Sequence, residues 1–273
     1  GYADAVFEAV SGFTTTGSTV LSGLDSLPPG LLVWRSLMQW MGGVGIVVMA
    51  IVLLPFLRIG GMQLFQSESS DRSEKIVARS VELIRLFGIT YLFLTFVCVL
   101  AFLLTGMTVF DAINHAMATI ATGGYSTHDA SFGFFANPAA GWVAVVFMLI
   151  GAMPFVLIIQ ALRGRPLLLW NDPQVRALLG LVVLTSLAVT VYLGAALEMN
   201  FSEALLASTF NIVSIITTTG FAMGDYTTWG PPVIGLALLL TFVGGCTGST
   251  SGGIKIFRFL VFFGTVRAHV RRM

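Results

Sequence analysis

A short apolar stretch that leads into hydroxyl residues and then a glycine occurs three times in this chain. The glycines are Gly17, Gly124 and Gly220, spaced 107 and 96 residues apart, which is typical of repeated subdomains rather than of a short solenoid repeat. As a helix, the apolar stretch at residues 111–121 reaches only about 16 Å, roughly half of the hydrocarbon thickness of a bilayer. Such a stretch can enter a membrane but cannot cross it.

The composition indicates a membrane protein. Of 273 residues, 56% are hydrophobic and only 10% are charged, and the mean hydropathy is +0.91. Soluble domains carry about 25% charged residues, so this chain lacks the polar shell of a soluble core. The net charge of +1 gives no basis for nucleic-acid binding. Cys98 and Cys246 both lie in apolar segments, which argues against a disulfide framework or a zinc site.

Five further apolar segments are long enough to cross a membrane, at about 20 helical residues each. They are residues 31–57, 81–105, 140–162, 175–197 and 231–263. Non-helical backbone at membrane depth needs protein or a water-filled cavity around it, so a half-length helix followed by Thr and Gly indicates a re-entrant pore loop. The predicted fold is an all-α membrane protein made of repeated span, pore loop and span units. The chain holds about two and a half of four such units.

This organisation divides the chain into six segments. They are residues 1–57, the pore loop and second span of unit 1; 58–80, a cytoplasmic loop; 81–162, unit 2; 163–174, a cytoplasmic loop; 175–263, unit 3; and 264–273, a basic cytoplasmic end. The basic residues support this topology, because 13 of the 14 Lys and Arg residues lie in residues 58–85, in residues 163–176 or from residue 255 onward, in or beside the predicted cytoplasmic parts, and only Arg35 lies on the opposite side. Such a bias is typical of cytoplasmic segments in membrane proteins.

The chemistry of the three Thr and Gly runs suits a dehydrated cation. Rings of backbone carbonyls can replace the hydration shell of a potassium ion without adding fixed charge. Glycine permits the backbone angles that turn successive carbonyls toward one axis, and each half-helix points its partially negative C-terminal end at the same region. We interpret the runs as parts of one selectivity filter. The alternative is that Thr and Gly merely allow close helix packing in lipid.

A second unusual run lies inside the last apolar segment, from Gly244 to Lys255. Each glycine costs about 1 kcal/mol relative to alanine inside a helix, so the span is predicted to break there into an intramembrane loop. Such a loop below a filter would obstruct the pathway, and we interpret it as a gate with a lysine that repels cations. The alternative is a flexible kink with a snorkelling lysine. The residues assigned to the gating loop are Gly244, Gly245, Gly248, Ser249, Gly252, Gly253 and Lys255.

Several motifs together resemble those of a known family. They are Ser11–Thr19 (SGFTTTGST), Arg35–Ile46 (RSLMQWMGGVGI), Gly60–Leu64 (GGMQL), Ala121–Thr127 (ATGGYST) and Gly244–Ser249 (GGCTGS). Over essentially its whole length the chain is similar to the TrkH/TrkG membrane subunits of bacterial Trk potassium uptake systems, within the Trk/Ktr/HKT superfamily. The resemblance implies four non-identical units around a pseudo-fourfold axis, in a homodimer with one pore per subunit, in the bacterial inner membrane.

The same resemblance implies how the protein works and what it binds. K⁺ would be the transported ion, no cofactor would be bound by this chain, and a cytoplasmic NAD- or nucleotide-binding subunit of the TrkA type would regulate it. The run from Gly244 to Lys255 would be the gating loop. The ion-binding residues carried over from the family are Thr15, Thr16, Gly17, Thr122, Gly123, Gly124, Thr218, Thr219 and Gly220.

The family pattern also includes a fourth unit and earlier spans that are not in this sequence. We therefore expect potassium uptake from a longer parent protein and no conduction by this chain alone. Two alternatives stay open: a Na⁺-permeable or Na⁺-coupled relative, and a truncated, non-conducting assembly or regulatory protein. Enzymatic activity is not expected, because His115, His128 and His269 lie in separate segments and the sequence shows no partners for a catalytic or metal site.

Overall fold

The structure, a computed structural model, describes residues 1–57 and 71–271. These residues form helices joined by short connections, and they contain no extended strand, so the predicted all-α fold class is confirmed. The helices are α1 (Tyr2–Phe13), α2 (Pro29–Leu57), α3 (Asp71–Leu104), α4 (Val109–Ile120), α5 (Pro138–Gly151), α6 (Phe155–Leu162), α7 (Pro166–Asn171), α8 (Pro173–Ala196), α9 (Phe201–Ile216), α10 (Pro231–Leu240) and α11 (Ile256–Val270).

The half-length helices share one register relative to the glycines that follow them. α1, α4 and α9 contain 12, 12 and 16 residues, which corresponds to about 18 to 24 Å of helix. Each helix ends four residues before its glycine, at Phe13, Ile120 and Ile216. The three apolar stretches singled out in the sequence therefore build the same element three times.

The longer helices provide the membrane-length segments. Among the described residues, Glu82–Leu104 of α3 and the whole of α8 are each long and apolar enough to cross a membrane. α5 and α6 meet this criterion only as a pair, and they are bent by 106° at the three-residue break between them. The segment expected to span the membrane over residues 140–162 is therefore bent near its middle and is not one continuous helix. Pro154, at the end of the break, lacks the N–H group that a continuous helix would use.

Other boundaries also differ from the expected segments. α3 begins at Asp71, so part of the expected connection at residues 58–80 is helical, and the rest, 58–70, lies outside the described residues. The expected connection at 163–174 contains the short helix α7. Asp172 caps α8 by accepting hydrogen bonds from the amides of Gln174 and Val175.

The half-length helices are covered by the longer ones. α4 packs against α2, α3 and α5, and α9 packs against α8 and α5. Phe132, in the connection after α4, lies at the centre of the aromatic packing, with ring centroids 5.0 Å from Phe210 and 4.7 Å from Phe221. The connection after α4 therefore packs against α9 and the segment that follows α9, and this arrangement positions the site.

Candidate functional site

The site is built from three short segments that follow α1, α4 and α9. We call residues 15–17, 122–124 and 218–220 the first, second and third Thr–Gly strands. In each strand the first and last residues have positive φ angles: Thr15 +55°, Gly17 +79°, Thr122 +51°, Gly124 +80°, Thr218 +56° and Gly220 +88°. A positive φ is uncommon for threonine and is sterically costly. Its recurrence at three matching positions shows that the strands share one backbone conformation.

Local hydrogen bonds impose this conformation. The amide of the middle residue of each strand donates to the carbonyl five residues earlier, in the preceding helix. These bonds run from Thr16 to Ser11 at 3.0 Å, from Gly123 to Ala118 at 2.8 Å and from Thr219 to Ser214 at 2.9 Å. The pattern satisfies carbonyls at the end of a helix in the manner of a Schellman motif. Each half-helix therefore sets the direction of its own strand.

The three strands converge. A Cβ atom added to Gly17 would overlap the Gly123 carbonyl oxygen and lie 3.5 Å from the Thr219 carbonyl oxygen. A Cβ atom added to Gly124 would overlap the Thr219 carbonyl oxygen in the same way. On Gly220 it would meet no described atom within 4 Å. The nine residues predicted from the sequence thus form one cluster in which carbonyl oxygens of neighbouring strands approach the next glycine.

Helix α2 forms the wall behind the first two strands. Gly42 and Gly43 let it approach closely, because a Cβ on Gly42 would overlap the Phe13 carbonyl oxygen and a Cβ on Gly43 would lie 3.0 Å from the Ala121 Cα atom. One turn earlier, the fully buried side chain of Gln39 lies on the same face. Gln39 was not predicted as a site residue, although its spacing from the glycine pair is visible in the sequence.

An ion pair joins the segments just beyond the strands. Arg35, which is 2% exposed, donates through Nε to Glu8 Oε2 at 3.1 Å and through Nη2 to Thr19 Oγ1 at 2.9 Å. Its guanidinium carbon lies 4.0 Å from the centroid of the Tyr125 ring, a cation–π arrangement. Arg35, the one basic residue predicted to lie on the outer side of the membrane, is therefore buried. It links the segment after the first strand to the segment after the second.

Two histidines expected to lie apart belong to one network at α4 and the connection that follows the second strand. His115 Nε2 lies 2.9 Å from Ser126 Oγ, and the amide of His128 donates to the same hydroxyl at 3.1 Å. His128 also pairs with Asp111, at 3.2 Å, and with Asp25. In residues 1–57 and 71–271, no group of three His, Cys, Asp or Glu side chains is arranged to hold a metal ion.

The predicted break between α10 and α11 is present, and we call residues 244–255 the Gly-rich loop. The loop is closed at its base, because the Gly244 amide donates to the Ile254 carbonyl at 3.0 Å and the Ile254 amide donates to the Phe242 carbonyl at 3.1 Å. This closure is typical of a compact Ω-type loop.

The Gly-rich loop is bonded to the break between α5 and α6. The Cys246 amide donates to the Ala152 carbonyl at 2.8 Å, and the Phe155 amide donates to the Gly248 carbonyl at 3.0 Å. The Thr250 amide adds a bond to the Gly151 carbonyl at 3.2 Å. Backbone groups freed by the break are thereby satisfied by the loop. The unpredicted bend in this segment is thus the attachment point of the loop.

The loop also contacts the Thr–Gly strands. The Thr250 hydroxyl donates to the Ile120 carbonyl at 3.0 Å and lies 3.3 Å from the Thr122 hydroxyl. The Gly252 amide donates to Thr218 Oγ1 at 2.6 Å. Two of the three strands therefore touch the loop directly.

Lys255 closes the loop from its C-terminal end. Its half-buried ammonium group donates to the Ser251 carbonyl and lies 3.4 Å from the Ser249 hydroxyl. The side chain folds back onto the loop, in contrast to the snorkelling alternative. Its positive charge therefore stays within the loop.

An all-helical chain with membrane-length helices, and with half-length helices that end in converging strands, has a channel-like membrane fold. The sequence model of the TrkH family, described as a cation transport protein, matches residues 1–273, and the chain belongs to this family.

Individual relatives agree with this assignment. The Trk system potassium uptake protein TrkI of Halomonas elongata is 48% identical over 269 residues, covering 98% of this chain and 54% of that protein. The Trk system potassium uptake protein TrkH of Escherichia coli K12 is 40% identical over 280 residues, covering 99% of this chain and 57% of that protein. The chain spans about half the length of these relatives.

A solved structure has the same fold. The crystal structure of the potassium transporter TrkH from Vibrio parahaemolyticus matches with a TM-score of 0.88 at 38% identity, covering 100% of this chain and 56% of that chain. The fold of this chain is therefore similar to that of a solved potassium transporter.

Proposed function

We propose that this chain supplies three quarters of a K⁺ selectivity filter, in a protein that takes up potassium across the bacterial inner membrane. The observation that carries the proposal is the convergence of the three Thr–Gly strands in one shared conformation. Each strand contributes two positions with φ > 0 and a run of carbonyls, a geometry suited to replacing the water around a dehydrated cation.

The helices support cation binding electrostatically. α1, α4 and α9 all end at the strands, and the C-terminal end of a helix carries a partial negative charge of about half an elementary charge. A cation among the strands would be favoured without any carboxylate at the site. Inward movement would be driven by the membrane potential, which supplies about 2.3 kcal/mol per elementary charge at 100 mV.

The Gly-rich loop would be the gate in this proposal. Its bonds to Thr122 and Thr218 keep it against the strands, where it obstructs the path of an ion. Opening would require release of these bonds and of the bonds to the break between α5 and α6. The Lys255 ammonium would hold a positive charge in the closed loop and disfavour a cation beside it.

The proposed protein works as part of a larger system. From the family resemblance alone, it would form a homodimer with a cytoplasmic regulatory subunit of the TrkA type that binds NAD or another nucleotide; the names of the relatives say that they belong to a Trk system. The proposal requires no cofactor in this chain and no catalytic step.

The test is K⁺ uptake by a bacterium that lacks its own potassium transporters and expresses the complete gene product carrying this sequence. Gly220→Arg is the decisive variant, because no described atom blocks a side chain there and the guanidinium would place a positive charge beside the strands. Gly220→Ala is the matched control, because it imposes the same strain at φ +88° without the charge. We expect growth at low K⁺ with the unaltered protein, weaker growth with Gly220→Ala and none with Gly220→Arg.

Two results would contradict the proposal. If Gly220→Arg transports K⁺ as well as Gly220→Ala does, the Thr–Gly strands are packing elements and not a filter. If the unaltered protein carries Na⁺ as fast as K⁺, the Na⁺-permeable alternative is correct.

A further inference from the structure

The three Thr–Gly strands differ at their middle residue. In the first strand the Thr16 hydroxyl lies 2.7 Å from the Thr14 hydroxyl, and in the third strand the Thr219 hydroxyl lies 2.7 Å from the Thr217 hydroxyl. The second strand has Gly123 at this position. It therefore has neither the side chain nor the hydroxyl pair that the other two strands share.

A side chain from α2 occupies this position in the second strand. A Cβ atom added to Gly123 would lie 2.6 Å from Gln39 Oε1 and 2.8 Å from Gln39 Nε2, so the carboxamide fills the space of the absent side chain. Gln39 Nε2 donates to the Gly123 carbonyl at 2.6 Å, and Gln39 Oε1 accepts from the Tyr125 amide at 3.0 Å. Both amide atoms are thus used, and the side chain is 0% exposed.

The next boundary between units has a different pairing. Gly151 of α5 meets the second strand as Gly42 of α2 meets the first: in each case a Cβ would contact the last carbonyl oxygen of the half-helix and the Cγ2 atom of the first threonine. Counting back three residues, Met148 corresponds to Gln39. Met148 is buried and apolar, and the strand beyond it carries Thr219. By this register, the counterpart of the amide beside a glycine at the first boundary is a thioether on the helix that precedes a strand with threonine.

We propose that Gln39 is a positioning residue that sets the K⁺ selectivity of the second strand; this rests on the proposed function. The second strand contains two consecutive glycines, Gly123 and Gly124, and therefore has the most backbone freedom of the three. The carboxamide bridges the carbonyl of Gly123 and the amide of Tyr125, and so fixes the peptide groups between them. A fixed carbonyl cannot close around the smaller Na⁺ ion as a mobile one does.

The first variant is Gln39→Met, which copies the residue that α5 carries at the matching position. It removes both hydrogen bonds while keeping a side chain of similar volume. We expect the ratio of K⁺ to Na⁺ uptake to fall about tenfold, equivalent to about 1.4 kcal/mol and within the cost of leaving a buried carbonyl unsatisfied. The measurement is the uptake of each ion by vesicles that contain the purified complete protein.

The second variant tests the exchange directly. Gly123 does not have a positive φ, so threonine is compatible with its backbone once the carboxamide is gone. Gly123→Thr alone would collide with Gln39 and should lose selectivity. In Gln39→Met/Gly123→Thr the boundary has the residue types that α5 and the third strand carry at the matching positions, Met148 and Thr219, and we expect selectivity to recover to within about threefold of the unaltered protein.

Gln39→Glu covers the case in which Gln39→Met does not fold. It has the same shape and keeps the acceptor for Tyr125, but it replaces the donor to Gly123 with an oxygen. Loss of selectivity in this variant, with normal yield and thermal stability, would support the proposal. Gln160→Met on α6 is the control for the exchange itself and should leave the ratio unchanged.

The outcomes separate this inference from the proposed function. If the unaltered protein takes up K⁺ selectively and both Gln39 variants keep that ratio, the inference is wrong and the filter proposal stands. If the double variant is no better than Gln39→Met, the amide does not substitute for a threonine and the inference is also wrong. If the unaltered protein does not take up K⁺, both proposals fail together.

Discussion

The Thr–Gly strands and the Gly-rich loop both interrupt helical backbone in the interior, but they are held in opposite ways. Each strand is bonded to its own half-helix, through carbonyls three to six residues earlier in the chain. The loop, beyond its closed base, is held by distant residues: Thr250 donates to Ile120, 130 residues away, and Gly252 donates to Thr218, 34 residues away.

This difference indicates which region can move. A strand keeps its helix-end conformation as long as its half-helix is intact, because the bonds that impose the positive φ angles are local; the backbone of the second strand has an additional long-range bond, from Gln39 to the Gly123 carbonyl. The loop can leave its partners while α10 and α11 stay folded, since its outer bonds are to other segments. Segments held by few, separable contacts are the ones that open at low free-energy cost. In the proposed function, this arrangement of bonds corresponds to a permanent filter beside a releasable gate.

The largest predicted effect comes from alanine at Gly124. Alanine in the left-handed region costs about 1 to 2 kcal/mol, and at Gly124 the new methyl group would also displace the Thr219 carbonyl of the neighbouring strand. We expect K⁺ uptake to fall at least about a hundredfold, against about tenfold for Gly220→Ala, which adds only the strain. Uptake rates and thermal unfolding in detergent would measure both. Equal effects at the two glycines would show that the strands do not contact each other.

A smaller effect of opposite sign is predicted for Thr250→Val. This variant keeps the shape of the side chain but removes the hydroxyl that donates to the Ile120 and Gly151 carbonyls, each at 3.0 Å. The Gly151 carbonyl keeps its bond from the Thr250 amide, but the Ile120 carbonyl loses its donor. Leaving a buried acceptor unsatisfied costs about 1 to 3 kcal/mol, so the closed loop is destabilised and K⁺ flux should rise about tenfold. Thr265→Val is the control, because that exposed hydroxyl bonds only within α11. Unchanged or reduced flux with Thr250→Val would contradict a gating role for the loop.

The smallest predicted effect is on stability and concerns a long-range contact at the protein surface, between Asp25 and His128. Asp25, half exposed, pairs with His128, and this hydrogen bond is the main reason why the pKa of the Asp25 carboxyl lies below its ordinary value. Because the folded pKa is the lower one, the stabilisation is present above the ordinary pKa of 3.8 and is lost as the pH falls through the lowered value.

We expect Asp25→Asn to lower stability by less than about 1 kcal/mol at pH 7, as for other exposed pairs. Thermal unfolding of both proteins, at pH 7 and again at a pH below the lowered pKa of Asp25, would measure it. The difference should vanish in acid. If Asp25→Asn lowered stability at pH 7 by about 1 to 3 kcal/mol, the cost expected for Thr250→Val, long-range bonds would matter equally at the surface and in the interior.

Much of the fold and part of the site follow from local sequence patterns. The half-length helices, the positions of the strands and the break before α11 were all predicted. Apolar length, glycine content and hydroxyl runs affect the backbone of their own segment, over about 20 residues, and can be recognised without knowing the tertiary contacts. The bend after α5 was missed although Pro154 is visible, since the apolar run continues through it and hydropathy alone does not register a break. Gln39 was missed because Gly123, whose missing side chain it replaces, is 84 residues away in the chain, so no local pattern connects the two residues.

The sequence by itself determined that this is a membrane protein with three half-helices, each ending in a strand of Thr and Gly. That information is local. The length of an apolar segment determines how far it reaches into the membrane, and the positive φ angles at the helix end determine the conformation of the Thr–Gly strand. Only the tertiary structure decided that Arg35 is buried against Glu8, that Gln39 holds Gly123 and that the Gly-rich loop is bonded to the α5–α6 break. Those contacts join atoms that are distant in the chain, so they exist only once the helices have packed.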